Sequence, residues 1–129
     1  MTQEDKELLL KDLCARLPYG VRYRHLAWDD EHGEDYIAVQ IYSINLSGYV
    51  RNYYDDESDY IDDVRPYLFP LSSVTEEQKK EYQYIIEKWM YDSSYSISDI
   101  TDWLNKNHFD YRGLIEKGLA IDATGLNIY

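Results

Sequence analysis

The segment YIAVQIYSINLSGYVRNYY, residues 36–54, decides the fold because it joins strand-like alternation to a tight turn. Ile37, Val39 and Ile41 alternate with polar or tyrosine residues, which is typical of a strand with one buried face. A Leu-Ser-Gly turn ends at Gly48, and the residues after it form the expected returning strand. The sequence therefore predicts a β-hairpin at the centre of the chain.

Further strands are expected on both sides of this hairpin. Residues 21–28 are rich in β-branched and aromatic residues, which predicts a first strand. Residues 64–70 contain two prolines that oppose helix, so this segment is expected to be extended and to form an edge strand at most. Two acidic segments, residues 29–35 and 55–63, are predicted to be solvated loops that connect the strands.

An N-terminal helix is predicted over residues 3–17, with Thr2 as its cap. Its apolar stripe is formed by the residues at helical spacing Leu10, Leu13, Cys14 and Leu17. Because Cys14 lies on this stripe, we expect its thiol to be buried and chemically inert.

The C-terminal third is predicted to be helical. One helix should follow a cap at Ser73 or Thr75 and end near Met90, and a polar loop should occupy residues 91–95. Its apolar stripe comprises Tyr82, Ile85, Ile86 and Trp89.

Two shorter helices are expected after that loop. The first should begin near Ser96 or Ser98, and the second should be capped by Asp110 and end at Gly118. Trp103 in the first of them and Trp89 in the preceding helix have helical core spacing, so both indoles are expected in the core.

These elements predict an α+β fold. It consists of an N-terminal helix, a three- to four-stranded antiparallel meander and C-terminal helices packed on one face. The chain has 129 residues, close to the commonest domain size, and it contains no internal repeat or low-complexity linker. We therefore expect a single α+β domain over residues 1–129.

Charge restricts the classes of partner. The chain carries 25 acidic and 13 basic side chains, which give a formal net charge of -12. Such a charge disfavours nucleic acid and anionic lipid and favours a protein with a basic surface. No signal peptide and no apolar run of membrane-spanning length is present, which predicts a cytoplasmic location. The single cysteine permits no intramolecular disulfide.

Three segments carry a resemblance to a known group of proteins. They are LLLKDLCARLPYGV at residues 8–21, PYLFPLSSVTEE at 66–77 and WLNKNHFDYRGLIEKGL at 103–119. In these segments the chain resembles an uncharacterised family of small acidic proteins from gut anaerobic bacteria and their phages. The resemblance implies a bacterial, phage-related or mobile-element protein of the cytoplasm. It implies no activity, cofactor or binding site for any residue.

No metal, cofactor or catalytic site is predicted. The acidic run from Asp55 fails the EF-hand pattern because Tyr60 and Pro66 stand where the calcium loop needs Gly and Glu. His32 has acidic neighbours but no pattern typical of a zinc or iron site. A nucleophile and base composed of Cys14 with a histidine is disfavoured by the expected burial of the thiol.

The abundance of tyrosine beside acidic residues predicts a non-catalytic protein-interaction module that binds a basic partner. The candidate partner contacts are Trp28, Asp55, Asp56, Glu57, Asp59, Asp62 and Asp63. Two alternatives remain open: a nucleic-acid-mimicking inhibitor of a DNA-binding or defence protein, and an enzyme with an unrecognised carboxylate site. The oligomeric state is not set by these patterns.

Overall fold

The structure is a computed structural model that describes residues 1–92 and 94–129. Ser93, inside the predicted polar loop 91–95, lies outside the described residues. The helices are α1 (Gln3–Arg16), α2 (Glu76–Tyr91) and α3 (Ile97–Lys106). The strands are β1 (Arg22–Asp29), β2 (Gly33–Ile44), β3 (Tyr49–Asn52), β4 (Ser58–Tyr60), β5 (Tyr67–Leu68) and β6 (Ile121–Asp122).

The predicted meander is present as an antiparallel sheet in the order β1-β2-β3-β4. Ile37, Val39 and Ile41 turn toward the core, as the alternation predicts, whereas Tyr36 and Tyr42 are exposed. The register between β2 and β3 shifts between Ile41 and Ser43, which places a bulge at Tyr42. A bulge increases local twist and bends the strand. The sheet curls, and side chains of β1 and β4 meet across its concave face.

The strands of the structure correct three predictions. β4 lies inside the acidic segment 55–63, which was expected to be a solvated loop throughout. The segment 64–70 is not part of the meander: β5 pairs in parallel with β6 in a separate two-stranded sheet. The loop predicted over residues 29–35 is shorter than expected, because β1 extends to Asp29 and β2 begins at Gly33. Each acidic segment therefore supplies strand residues as well as a turn.

The cap of α1 follows the prediction, but its buried face does not. Thr2 and Asp5 form a reciprocal capping box. The buried residues of the helix are Leu9, Asp12, Leu13 and Arg16. Cys14 is exposed, so the expectation of a buried thiol is wrong.

A buried ion pair explains why the stripe was misplaced. Arg16 Nε donates to Asp12 Oδ2 over 2.8 Å, and both side chains have no exposed area. Arg112 donates to the second oxygen of Asp12, also over 2.8 Å, and Arg16 Nη2 donates to the Phe109 carbonyl over 2.6 Å. Hydrophobic periodicity cannot detect charged residues that are buried in pairs.

The core lies between α1 and the concave face of the sheet. It joins residues of α1, the strands and the C-terminal segment in one cluster: Leu9, Leu13, Val21, Tyr23, Val39, Ile41, Val50, Ile61, Val64, Leu68, Leu114, Leu119 and Ala120. α3 packs against α1 and α2. The fold is therefore α+β, with the N-terminal helix, the antiparallel meander and two of the three C-terminal helices that the sequence predicts.

The C-terminal helices are less buried than expected. Thr75, one of the two predicted caps, forms a capping box with Gln78 at the start of α2. No residue of α2 is fully buried, and Trp89 is 43% exposed, so its expected place in the core is wrong. Trp103 of α3 is buried as expected. Asp110 accepts the main-chain N–H groups of Leu114 and Ile115, but it organises turns and not the predicted helix.

Among the described residues, no helix is both long and apolar enough to cross a membrane.

Candidate functional site

A groove of about 600 Å³ lies where β1 approaches β4 and the turn before it. We call it the acidic groove. Its lining residues are His25, Leu26, Trp28, Glu34, Tyr54, Asp55, Asp56, Glu57, Ser58 and Asp59. Five of these ten residues are carboxylates, and none is Lys or Arg. The groove therefore concentrates negative charge in a concave surface, where fields are focused.

Sheet register brings the two halves of the acidic groove together. Trp28 lies opposite Glu34 in the β1–β2 ladder, on the exposed face of the hairpin. Asp59 lies in β4, opposite Val50 of β3. The curl of the sheet carries β4 back toward β1, so residues about thirty positions apart in sequence line one groove.

His25 forms the floor of the groove and binds a carboxylate at each ring nitrogen. Its side chain is 2% exposed. Nδ1 lies 2.5 Å from Asp59 Oδ2, and Nε2 lies 2.9 Å from Asp55 Oδ2. A histidine that donates from both nitrogens is the protonated imidazolium. The two aspartates are thus crosslinked through one buried cation.

Neighbouring polar groups fix the same two carboxylates. The Tyr23 hydroxyl donates to Asp59 Oδ2 over 2.7 Å and accepts from Asn52 Nδ2 over 3.0 Å. The Asn52 side-chain oxygen accepts the main-chain N–H groups of Tyr54 and Asp55, over 2.9 and 2.8 Å. Because the Asn52 amide turns the chain at this point, β3 ends there and not at Tyr54 as the sequence predicts. The network holds the turn that presents the acidic residues.

Three pKa values of the network depart from their ordinary values. Burial lowers the pKa of His25, but the hydrogen bonds to Asp55 and Asp59 outweigh this effect and the pKa is raised. Burial raises the pKa of Asp55, but the bonds from His25 and the Glu57 N–H outweigh it and the pKa is lowered. Burial and the Asp59 carboxylate raise the pKa of the Tyr23 hydroxyl. The raised pKa of His25 favours the imidazolium form of its ring.

The arrangement of His25, Asp55 and Asp59 fixes the positions of charged groups and leaves no nitrogen of His25 free to exchange a proton with a ligand. Neither nitrogen of His25 faces the open groove, because both are bound to aspartates of the chain. Asp56 and Glu57 are exposed, and their side chains make no hydrogen bond within the described residues. A ligand entering the groove therefore meets the exposed carboxylates of Glu34, Asp56 and Glu57 beside the two fixed ones, which are 27% and 23% exposed.

Trp28 forms the rim. It is 67% exposed, and its indole N–H donates to Asp30 over 3.1 Å. The hydrogen bond orients the ring beside the carboxylates, where a cation could lie over its face. The same groove thus offers an aromatic surface and negative charge.

No protein-family model, curated protein or solved structure matches the chain. Within residues 1–92 and 94–129, no group of three His, Cys, Asp or Glu side chains is arranged to hold a metal ion.

Five of the seven predicted partner contacts line the acidic groove: Trp28, Asp55, Asp56, Glu57 and Asp59. The other two, Asp62 and Asp63, line an adjacent groove of about 430 Å³ that also contains Arg24 and Arg65. Asp62 lies 3.5 Å from the Lys6 ammonium. The acidity of the second groove is thus partly neutralised, and the predicted contact surface divides into two parts of different charge.

The sequence did not identify His25 as the organiser of these acids. A signal was available in β1, where Tyr23, His25 and Ala27 alternate on one face and are all buried. A histidine on the buried face of a strand needs polar partners. Which acids supply them depends on the curl of the sheet, and local pattern does not encode that.

Proposed function

We propose that this protein is a non-catalytic interaction module, a cytoplasmic accessory protein of a bacterium or phage. Its acidic groove binds a basic segment of a partner protein. The observation that carries the proposal is the His25 clamp, which fixes Asp55 and Asp59 beneath an exposed tryptophan. Carboxylates that are already ordered bind a cation without the entropy cost of ordering flexible side chains.

A lysine or arginine side chain fits this chemistry. Its charge meets the fixed carboxylates of Asp55 and Asp59 together with the free ones of Asp56 and Glu57, and its aliphatic stem packs on the indole of Trp28. A cation over an exposed aromatic ring gains about 0.5–1 kcal/mol. Several such contacts together give a salt-sensitive complex, because exposed charges are screened by added ions.

The first experiment measures fluorescence anisotropy of a dye-labelled hexalysine peptide titrated with the protein. We expect saturable binding at about 0.01 M salt that is lost near 1 M, where the screening length falls from about 30 to about 3 Å. The variant Asp56→Asn with Glu57→Gln should bind about fivefold more weakly, since two exposed ion pairs contribute about 1 kcal/mol together.

A matched variant separates the groove from net charge. Glu77→Gln with Glu116→Gln removes the same two charges from exposed positions outside the acidic groove. Compared at about 0.1 M salt, where the screening length is about 10 Å, it should bind hexalysine within about twofold of the unmodified protein, because distant exposed charges are screened. Equal losses in the two double variants would show attraction by net charge alone and would refute the groove as the site.

The alternatives predicted from the sequence demand other ligands. A nucleic-acid mimic must fill an extended DNA-binding surface, with carboxylates spaced like phosphates, and would not bind a short peptide in one groove. An enzyme would consume a substrate there. A hexalysine complex of one-to-one stoichiometry that depends on Asp56 and Glu57 supports the interaction module over both.

A further inference from the structure

We infer that the basic segment binds as an added β-strand along the free edge of β1, at residues 26–28. The inference rests on the proposed function and specifies the backbone geometry of the partner. Addition of an extended peptide to an open sheet edge uses main-chain hydrogen bonds for affinity and side-chain contacts for specificity.

The main chain of β1 alternates between two directions. The Arg24 N–H donates to the Arg65 carbonyl over 3.1 Å and thus points away from β2. Val21 is three residues before Arg24, so its main-chain groups point the other way: its carbonyl accepts from the Ile41 N–H of β2 over 3.0 Å. By this alternation, the N–H and C=O groups of Leu26 and Trp28 also point away from β2.

These groups are unpaired. Beyond Arg24, no hydrogen bond of the described residues links this edge of β1 to another element. Leu26 and Trp28 are 43% and 67% exposed. An exposed row of free donors and acceptors is a template for another strand, and proteins usually cover or interrupt such an edge.

The opposite wall of the groove is also a sheet edge. The Ile61 N–H donates to the Gly48 carbonyl over 2.8 Å, and Asp59, two positions earlier, therefore also directs its main-chain groups toward β3. Ser58 is the alternate residue, so its main-chain N–H and C=O point away from β3. Ser58 and Leu26 line the same groove, so a strand lying in it has an open edge on each side.

Charge complementarity selects the occupant. A strand places alternate side chains on opposite faces. Lysine or arginine at every second position would meet the row formed by Asp55, Asp56 and Glu57, while the intervening residues need only favour extended backbone. The predicted ligand is an extended peptide of alternating basic and β-branched residues.

The test compares a labelled alternating lysine–valine hexapeptide with two N-methylated analogues, one methylated at the valines and one at the lysines. All three carry the same charge, and each methylated set lacks the donors of one edge. We expect at least one analogue to bind about tenfold more weakly, because two or three main-chain hydrogen bonds are lost. Amide hydrogen exchange of Leu26 and Trp28 should slow in the complex, while that of Arg24, already bonded, should not change.

The outcomes separate the two proposals. Equal binding of all three peptides, with unchanged exchange at Leu26 and Trp28, would refute strand addition and leave the acidic groove as a charge-recognising site. If none of the three peptides binds at low salt and hexalysine does not bind either, strand addition and the acidic groove as a binding site are both refuted. Weaker binding of an analogue together with slowed exchange supports strand addition.

Discussion

The two most buried histidines of the described chain lie in regions with opposite electrostatics. His25 is 2% exposed and bonded to a carboxylate at each nitrogen, whereas His108 is 8% exposed and its Nδ1 has no partner among the described residues. The pKa of His25 is raised by its aspartates despite burial. Burial and the Arg16 charge lower the pKa of His108 to about 4. Net charge alone therefore does not describe either region.

The region around His108 is built for packing. Its ring stacks on Tyr129 with centroids 3.7 Å apart and an angle of 11° between the rings. The Tyr129 hydroxyl donates to the Tyr67 carbonyl over 2.7 Å and accepts from the Arg22 N–H over 2.9 Å. His108 has a φ of 61°, in the left-handed region that more often takes glycine after a helix. A neutral ring suits this environment, whereas the charged ring of His25 suits the acidic groove.

The largest expected effect on stability comes from removing the Asp12 carboxylate, which pairs with Arg16 near His108. Asp12→Asn should lower the free energy of unfolding by about 3–5 kcal/mol, because Arg16 would remain buried without its carboxylate. Chemical denaturation followed by circular dichroism measures this change. Lys11→Ala, on the exposed side of the same helix, is the control and should change stability by less than about 0.5 kcal/mol. A small effect of Asp12→Asn would contradict the role given to the ion pair.

The second prediction removes the clamp beneath the acidic groove. His25→Phe should cost about 2–3 kcal/mol near pH 6, because two charge-assisted hydrogen bonds are lost. Because the pKa of His25 is raised in the folded protein, its stabilisation of the fold is fully present below the pKa of the unfolded chain, about 6.5. This stabilisation is lost as pH rises through the pKa of the folded protein. The stability difference between the two proteins should thus narrow in alkaline solution. A difference that widens with pH would refute an imidazolium at this position.

The third prediction concerns His108, whose pKa is lowered and not raised, so its effect on stability has the opposite dependence on pH. With a folded pKa of about 4 and an unfolded value of about 6.5, the unfolded chain takes up the proton first as pH falls. This single group should therefore reduce stability by about 2 kcal/mol between pH 7.5 and about pH 5. His108→Asn keeps a residue that tolerates the left-handed backbone and should lack this loss. Identical pH profiles for the two proteins would contradict the prediction.

The smallest effect on stability is expected at the rim of the acidic groove. Trp28→Ala should change the free energy of unfolding by less than about 0.5 kcal/mol, since the indole is largely exposed. It should weaken hexalysine binding about threefold through loss of the cation–π contact. Trp89→Ala, an exposed tryptophan on α2, is the matched control and should leave binding unchanged. Equal effects of the two variants on binding would remove Trp28 from the site.

Sequence patterns predicted elements well where hydrophobic alternation and capping act locally. The alternation of Ile37, Val39 and Ile41 and the Thr75–Gln78 capping box are both present in the structure. These signals depend on residues a few positions apart. The order of the antiparallel sheet follows from short connections for the same reason.

Long-range pairing could not be predicted in this way. The buried Asp12–Arg16 pair displaced the apolar face of α1, so Cys14 was wrongly placed in the core. The pairing of His25 with Asp55 and Asp59 depends on the curl of the sheet, which no local pattern specifies. The sequence therefore places the candidate acids near one another along the chain, whereas it does not indicate the histidine that binds two of them.

The indole N–H resonances offer the most direct test of the acidic groove. In one two-dimensional NMR spectrum Trp28, Trp89 and Trp103 report on the groove, on the exposed face of α2 and on the interior, respectively. On addition of hexalysine at low salt, we expect the Trp28 signal to shift and the shift to reverse at high salt, with the Trp89 and Trp103 signals unchanged. A shift at Trp89 with none at Trp28, or no shift at saturating peptide, would contradict this expectation.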